Sequence, residues 1–235
     1  MTKPKRRHAD EVTDATELKI IGGRFRGRKL KYEAFRVGDD PVTRPMKHRV
    51  RESIFNLVGM EAQGKHAIDL FAGTGALGLE ALSRGASRAT FIERHVPTAR
   101  VIEENIKALG VEDEATLLVT SAFLWGKRDL GKVEGGESSV KSQKVERPST
   151  LDPRPSTLPW LVFCSPPYAF FVERQQEMLG LIEQVMQLAP EQSIVVVEAD
   201  ERFDFSMLPP AVDDDALSND WDVRTYPPAV VGVWR

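Results

Sequence analysis

The chain has 235 residues, 41% apolar and 29% charged, which gives room for one main domain with an appendage; no run of about 18 apolar residues marks a membrane span. Its single cysteine, Cys164, excludes an internal disulfide and fits a reducing compartment, and the scattered His8, His48, His66 and His95 lack partners at ligand spacing, so no metal site is expected. Charge is unevenly spread: residues 1–51 hold 15 Lys+Arg against 7 Asp+Glu and the rest 17 against 28, a polarity that turns the N-terminal part toward a polyanion.

Residues 1–17 have few apolar side chains and a basic start with no apolar stretch behind it. They read as a disordered basic tail and not as a secretory signal, and the protein is expected in the cytoplasm. Two short strands, 18–21 and 26–32, follow around Gly22-Gly23, which can supply the positive φ of a tight hairpin. Period 2 puts Arg24, Arg26 and Arg28 on one face, with Lys29 and Lys31 opposite unless Gly27 forms a bulge. Pro45 suits the first turn of a helix reaching about Val58, with Val50, Ile54, Leu57 and Val58 as its buried stripe and Lys47 and Arg51 as a basic ridge. Residues 18–62 thus form an N-terminal extension of hairpin and helix.

From His66 the chain alternates strands near 66–70, 88–93, 115–119, 160–164 and 193–198 with helices near 76–84, 96–109 and 173–189. That order is an α/β class with a mostly parallel sheet and right-handed crossovers. Residues 221–226 and 229–234, separated by Pro227-Pro228, add a final antiparallel hairpin and bring the sheet to seven strands. Residues 126–159 are rich in Gly, Ser, Lys, Glu and Pro and hold the near-repeat Arg-Pro-Ser-Thr-Leu at Arg147 and Arg154. They read as a low-complexity insertion in a domain spanning 63–235.

Asp69-Leu70-Phe71 leads into Gly73-Thr74-Gly75-Ala76-Leu77-Gly78, glycines that let the backbone approach a ligand and the following helix pack on its strand. The spacing alone serves NAD, FAD or S-adenosylmethionine about equally. Asp69 separates them: a pyrophosphate gains nothing from a negative charge at that strand end, whereas a sulfonium compound with an α-amino group does. Glu93 ends the next strand, 20 residues beyond Gly73, where a carboxylate can accept hydrogen bonds from ribose hydroxyls.

Ser165-Pro166-Pro167-Tyr168 ends the apolar run Trp160-Leu161-Val162-Phe163-Cys164, in which Cys164 is a packed thiol. Two prolines fix φ and remove two donors, so the loop presents acceptors, and Tyr168 offers a face on which a base can stack. Such a loop suits an exocyclic amine. Methyl transfer from a sulfonium to a nitrogen is an in-line displacement, and the protein's chief task is to aim the lone pair. Ser165 and the Pro166 carbonyl would hold the amine hydrogens.

These residues resemble class I S-adenosylmethionine-dependent methyltransferases, and more narrowly the bacterial RsmD-like 16S rRNA guanine-N2 methyltransferases, over residues 18–105 and again over 160–188. Ile20-Ile21-Gly22-Gly23-Arg24-Phe25-Arg26-Gly27-Arg28-Lys29-Leu30 is similar to that family's N-terminal hairpin. Thr43-Arg44-Pro45, Arg49-Val50-Arg51-Glu52 and Phe55-Asn56 are similar to its first helix, and Asp69 to Ala81 to its cofactor loop. Two positions depart from it: Ser165 and Ser121 stand where the family usually has Asp, and a hydroxyl is the weaker acceptor for an adenine amino group.

The resemblance implies a Rossmann-like fold with helices on both faces of the sheet. It implies S-adenosylmethionine bound by Asp69, Phe71, Ala72, Gly73, Thr74, Gly75, Gly78, Glu93, Arg94, Ser121 and Ala122. Catalysis would fall to Ser165, Pro166, Pro167 and Tyr168, and RNA contacts to Arg24, Arg26, Arg28, Lys29, Arg44, Lys47 and Arg51. The implied partner is 16S rRNA within a 30S subunit or an assembly intermediate, met by a monomer. Ser-Pro-Pro-Tyr also resembles the loop of some DNA amino-methyltransferases, so a DNA adenine-N6 or cytosine-N4 methyltransferase is the alternative enzyme. Ser121 and Ser165 motivate a second alternative, an RNA-binding relative with impaired catalysis.

Overall fold

The computed structural model describes residues 18–33, 36–37, 40–41, 46, 48–132, 155–210 and 221–235; the basic tail, Arg44, Pro45, Lys47 and residues 133–154 of the expected insertion lie outside the described residues. In chain order the elements are β1 (Arg36–Val37), β2 (Asp40–Pro41), α1 (His48–Val58), β3 (His66–Asp69), α2 (Ala76–Ser83), β4 (Arg88–Ile92), α3 (Val96–Leu109) and β5 (Ala115–Leu118). Then come α4 (Ala122–Trp125), running on into a π-helical turn over Gly126–Leu130, β6 (Trp160–Cys164), α5 (Phe170–Glu173), α6 (Gln175–Leu188), β7 (Ile194–Asp200), β8 (Asp222–Tyr226) and β9 (Ala229–Trp234).

Seven strands form one sheet in the order β5-β4-β3-β6-β7-β9-β8. The first five are parallel; β9 enters antiparallel beside β7 and closes a hairpin with β8. This is the Rossmann-like arrangement that alternating strands and helices imply. The chain winds outward from β3 to β5 and then returns to place β6 on the other side of β3. The loops leaving β3 and β6 therefore part in opposite directions, which opens a crevice at the carboxyl ends of those strands. Asp69 lies opposite Phe163 in that register.

Period-2 alternation sends the two sides of each strand into separate cores. Leu161, Phe163 and Val196 pack with α1, α2, α3 and the segment at Leu18, Ile20 and Leu30. Val162, Cys164, Val195 and Val197 pack with α4, α6 and Phe171 on the other face. Cys164 is a buried free thiol, and burial raises its pKa. Gly78 fits α2 against the sheet, because a Cβ there would stand 2.4 Å from the Phe91 ring.

The expected N-terminal hairpin is present in reduced form. Its arms meet at one antiparallel bridge, Lys19 with Lys29, flanked by backbone bonds from Ile20 to Arg28 and from Leu30 to Leu18, and its tip is a short 3-10 turn over Gly23–Phe25. Glu80 of α2, fully buried, accepts the amides of Ile21 at 2.7 Å and Gly22 at 2.8 Å, and Ser83 Oγ accepts the Phe25 amide at 2.9 Å. Asn105 of α3 exchanges hydrogen bonds with both backbone groups of Lys31. The extension is thus fastened to the sheet domain along α2 and α3.

Two expectations for α1 change. Phe55 is fully buried where Leu57, half-buried, was expected, and Arg51 lies at 0% exposure instead of on a basic ridge. The Arg51 Nη2 donates to the Lys19 carbonyl, and the Glu80 carboxylate compensates its charge while burial lowers its pKa. Val50, Arg51, Ile54, Phe55 and Val58 therefore form one helical face, and the arginine joins helix to hairpin. Of the span set apart as an insertion, both described ends belong to the folded body. Gly126, Asp129 and Leu130 are buried, and Ser156 hydrogen-bonds the buried His66, whose other ring nitrogen meets Thr90 at 2.8 Å.

Candidate active site

A cavity of about 850 Å³ opens at the carboxyl ends of the five parallel strands, β3 to β7. Asp69, Phe71, Ala72, Gly73 and Thr74 line it from the first loop, Glu93 and Arg94 from the second, Ser121 and Ala122 from the third, and Ser165, Pro166, Pro167 and Tyr168 from the fourth. The catalytic residues and nearly all the cofactor residues expected from sequence thus meet in one place. Gly75 and Gly78 shape the wall without lining it. Gly75, at φ 75°, takes the left-handed turn into α2, which a side chain would strain.

Asp69 is 1% exposed. Its Oδ2 accepts the Gly78 amide at 3.3 Å, while Oδ1 is buried with no hydrogen-bond partner among the described residues. Burial, with a contribution from Glu93, raises its pKa from 3.8 to about 7. A buried carboxylate oxygen without a donor is costly unless something arrives to satisfy it. An ammonium group meets both needs, as donor and as counter-charge.

Glu93 accepts the Gly73 amide at 2.9 Å through one oxygen and the His95 amide at 2.8 Å through the other. Each oxygen retains a lone pair for a hydroxyl donor. Ser121 caps α4: its Oγ accepts the Leu124 amide at 3.1 Å. The hydroxyl proton of Ser121 remains available to an acceptor in the cavity. This cap explains the helix at Ala122–Trp125, where no helix is expected from the sequence.

One wall is aromatic. The rings of Phe71, Phe123 and Phe170 form a triangle with centroids 6.0 to 6.1 Å apart, and the Arg174 guanidinium lies over Phe123 at 3.9 Å. Flat apolar faces capped by a cation suit a heterocycle. Phe71 comes from the loop after β3, Phe123 from α4 and Phe170 from the start of α5, so no single stretch of sequence announces them.

The floor behind Ser165 and Tyr168 is Glu198 of β7, only 5% exposed. Ser165 Oγ donates to Glu198 Oε2 and Tyr168 Oη donates to Oε1 at 2.7 Å. Burial raises the Glu198 pKa, the two hydroxyls lower it, and the net direction is up. Sequence reasoning missed this residue. The available signal was an acid closing the run Ile194-Val195-Val196-Val197, which the strand reading sends to the core. The Pro167 carbonyl accepts the Phe170 amide at 2.9 Å, whereas that of Pro166 has no donor among the described residues.

The basic residues are divided. Arg24, Arg26, Arg28 and Lys29 are exposed on the hairpin; Arg24 pairs with Glu114 and Arg28 donates to the Ala108 carbonyl. Arg51 is buried and cannot meet a phosphate. Among the described residues no three His, Cys, Asp or Glu side chains gather as metal ligands, and no helix is long and apolar enough to cross a membrane.

A family model described as "Conserved hypothetical protein 95" matches residues 18–135. The Bacillus subtilis (strain 168) protein named "Putative rRNA methyltransferase YlbH" is 29% identical over 197 residues, 84% of this chain and 89% of its own length. Ribosomal RNA small subunit methyltransferase D of Escherichia coli (strain K12) is 44% identical over 93 residues, which span 40% of this chain and 44% of that one. Among solved structures, "Putative methyltransferase yhhF from Escherichia coli" superposes with a TM-score of 0.61 at 24% identity, covering 92% of this chain and 96% of the other, a likeness of fold.

Proposed function

The chain belongs to the family described as conserved hypothetical protein 95, the RsmD-like methyltransferases, and from that premise we propose that it methylates the exocyclic N2 of a guanine in 16S rRNA with S-adenosylmethionine as donor. The observation that carries the reading is the meeting, in one cavity, of Asp69 Oδ1, without a donor among the described residues, with the Ser165-Pro166-Pro167-Tyr168 loop. The first fits an amino-acid ammonium; the second fits a base amine.

S-adenosylmethionine supplies, when bound, an electrophilic methyl group on a sulfonium sulfur. Asp69 would hold its ammonium, Glu93 its ribose hydroxyls, and the Phe71 wall with Ser121 its adenine. The glycine turn keeps side chains out of the space these groups need. Ser165 Oγ and the Pro166 carbonyl accept the two amine hydrogens of guanine and turn the nitrogen lone pair toward the methyl carbon. The same oxygens stabilise the positive charge that grows on nitrogen. Tyr168, its hydroxyl tied to Glu198, presents its ring for stacking on the extruded base.

Arg24, Arg26, Arg28 and Lys29 grip phosphates of the RNA, and Arg44 and Lys47 join them in this reading. The substrate is the rRNA within a 30S subunit or an assembly intermediate, met by a monomer in the cytoplasm. The names of the Bacillus subtilis and Escherichia coli relatives support an rRNA substrate. The test is incubation with methyl-labelled S-adenosylmethionine and unmodified 16S rRNA, free or assembled with subunit proteins, followed by digestion to nucleosides. N2-methylguanosine is expected. Label found only in N6-methyladenine or N4-methylcytosine of DNA overturns the reading in favour of a DNA amino-methyltransferase.

A further inference from the structure

We infer that Glu198 is a positioning residue for methyl transfer: acting through Ser165, it makes that hydroxyl an acceptor for the target amine and receives the proton that the amine releases. The inference rests on the proposed function and deepens its account of the amine loop.

A serine hydroxyl has one proton and two lone pairs, and on its own it donates as readily as it accepts. Here the proton is committed to Glu198 Oε2, so only lone pairs face the cavity. Donation to a carboxylate also polarises the hydroxyl and strengthens its oxygen as an acceptor. Tyr168, bonded to Oε1, occupies the other carboxylate oxygen and keeps Oε2 aimed at Ser165. The two strands hold this geometry rigidly: Cys164 and Val197 are register partners, and Ser165 and Glu198 are the next residue on each.

The proton balance follows from the same contacts. As the nitrogen–methyl bond forms and the carbon–sulfur bond breaks, the nitrogen becomes positive and must lose a proton. That proton passes to Ser165 Oγ while the Ser165 proton passes to Glu198 Oε2. The products are a neutral methylated amine, a thioether and a protonated Glu198, which returns its proton to water through the open cavity. Burial without a cationic partner suits Glu198 to this task, since it favours taking a proton. The other titratable and charged groups facing this part of the cavity are Tyr168 beside it, Asp200 at the end of its own strand and Arg202 just past it, Asp69 at the end of β3, and Arg174.

The test compares wild type, E198Q and the double variant S165D/E198Q, first by calorimetry with S-adenosylmethionine and then by single-turnover methylation of unmodified 16S rRNA across pH. Wild-type rates are expected to rise with pH as Glu198 ionises and then level. E198Q is expected to bind S-adenosylmethionine like wild type, to transfer about 100-fold more slowly at nearly unchanged RNA KM, and to lose the rising limb. S165D/E198Q, which restores a carboxylate to the loop, is expected to recover about tenfold of that loss. A readout without turnover is the Glu198 carboxyl ¹³C titration in the ligand-free protein: S165A removes a donor to the carboxylate and should raise its pKa.

An E198Q enzyme that matches wild type at every pH, one that is slow but keeps the limb, or an S165A titration identical to wild type overturns the inference and leaves the proposed function standing. A wild-type protein that methylates no rRNA overturns both.

Discussion

Glu93 Oε2 accepts the Gly73 amide at 2.9 Å, so the carboxylate at the end of β4 and the first glycine of the turn are one mechanical unit. Removing the side chain takes away the acceptor proposed for ribose and loosens the turn together. Charge-assisted hydrogen bonds contribute about 1.5 to 3 kcal/mol, so Glu93→Ala should weaken S-adenosylmethionine binding about 10- to 100-fold. Calorimetric titration checks this, and a wild-type Kd would contradict it.

Asp69 predicts a pH dependence of folding. Below its ordinary value of 3.8 both folded and unfolded chains carry the proton; between 3.8 and about 7 only the folded chain does. The stability tied to this proton is therefore complete below 3.8 and is lost as pH rises through about 7. Asp69→Asn should flatten that slope and stabilise the ligand-free protein at about pH 8 by roughly 2 to 4 kcal/mol, read from urea unfolding at several pH values. The same variant should bind S-adenosylmethionine at least about tenfold more weakly, since an amide cannot balance an ammonium.

Gly78 and Gly180 predict opposite signs for one substitution. A Cβ on Gly78 would meet the Phe91 ring at 2.4 Å, and Phe91 is fully buried with nowhere to move. Gly78→Ala should cost about 1 to 3 kcal/mol through overpacking. On Gly180, in α6, a Cβ meets nothing within 4 Å, and Gly180→Ala should gain about 0.5 to 1 kcal/mol from helix propensity. Urea midpoints moving in the same direction would refute the contrast.

Glu80 holds the Ile21 and Gly22 amides and the Arg84 Nε, and its charge compensates buried Arg51. Glu80→Ala leaves an uncompensated buried cation and should cost about 3 to 5 kcal/mol. Trypsin should then cut at Arg24, Arg26 and Arg28 faster than in wild type, because the hairpin keeps only Ser83 as its anchor to α2. Unchanged cleavage at those sites would show that the extension is held by other contacts.

Replacing Arg24, Arg26 and Arg28 together should weaken rRNA binding and make log K less steep in log salt by up to about 2 units, at roughly 0.7 per phosphate contact on single-stranded RNA. Arg24 contributes least, being paired with Glu114. An unchanged slope would remove the hairpin from the RNA interface.

Much of this site was legible because local chemistry determines it. Trp160 to Cys164 could only be an interior strand, the glycine spacing fixed where Asp69 and Glu93 stand, and the two prolines fixed the loop. Arg51 was misread because a charge on a helix is ordinarily solvated, and its burial depends on Glu80, which only tertiary packing brings near. Glu198 was overlooked because its partners Ser165 and Tyr168 are neighbours across the sheet and not along the chain. The triangle of Phe71, Phe123 and Phe170 escaped for the same reason, each ring arriving from a separate part of the chain. Residues that act through their own backbone turn can be read in one dimension; those that act through a neighbouring strand cannot.

Helix α2 is clamped at both ends, by the glycine turn and Phe91 at its start and by the hairpin's hold on Glu80 and Ser83 toward its finish. Eight residues of helix set those ends about 12 Å apart. The hairpin and the glycine turn are consequently joined by a strut of fixed length, which in the proposed reading would measure off any strand the arm grips against the reaction centre as with a caliper.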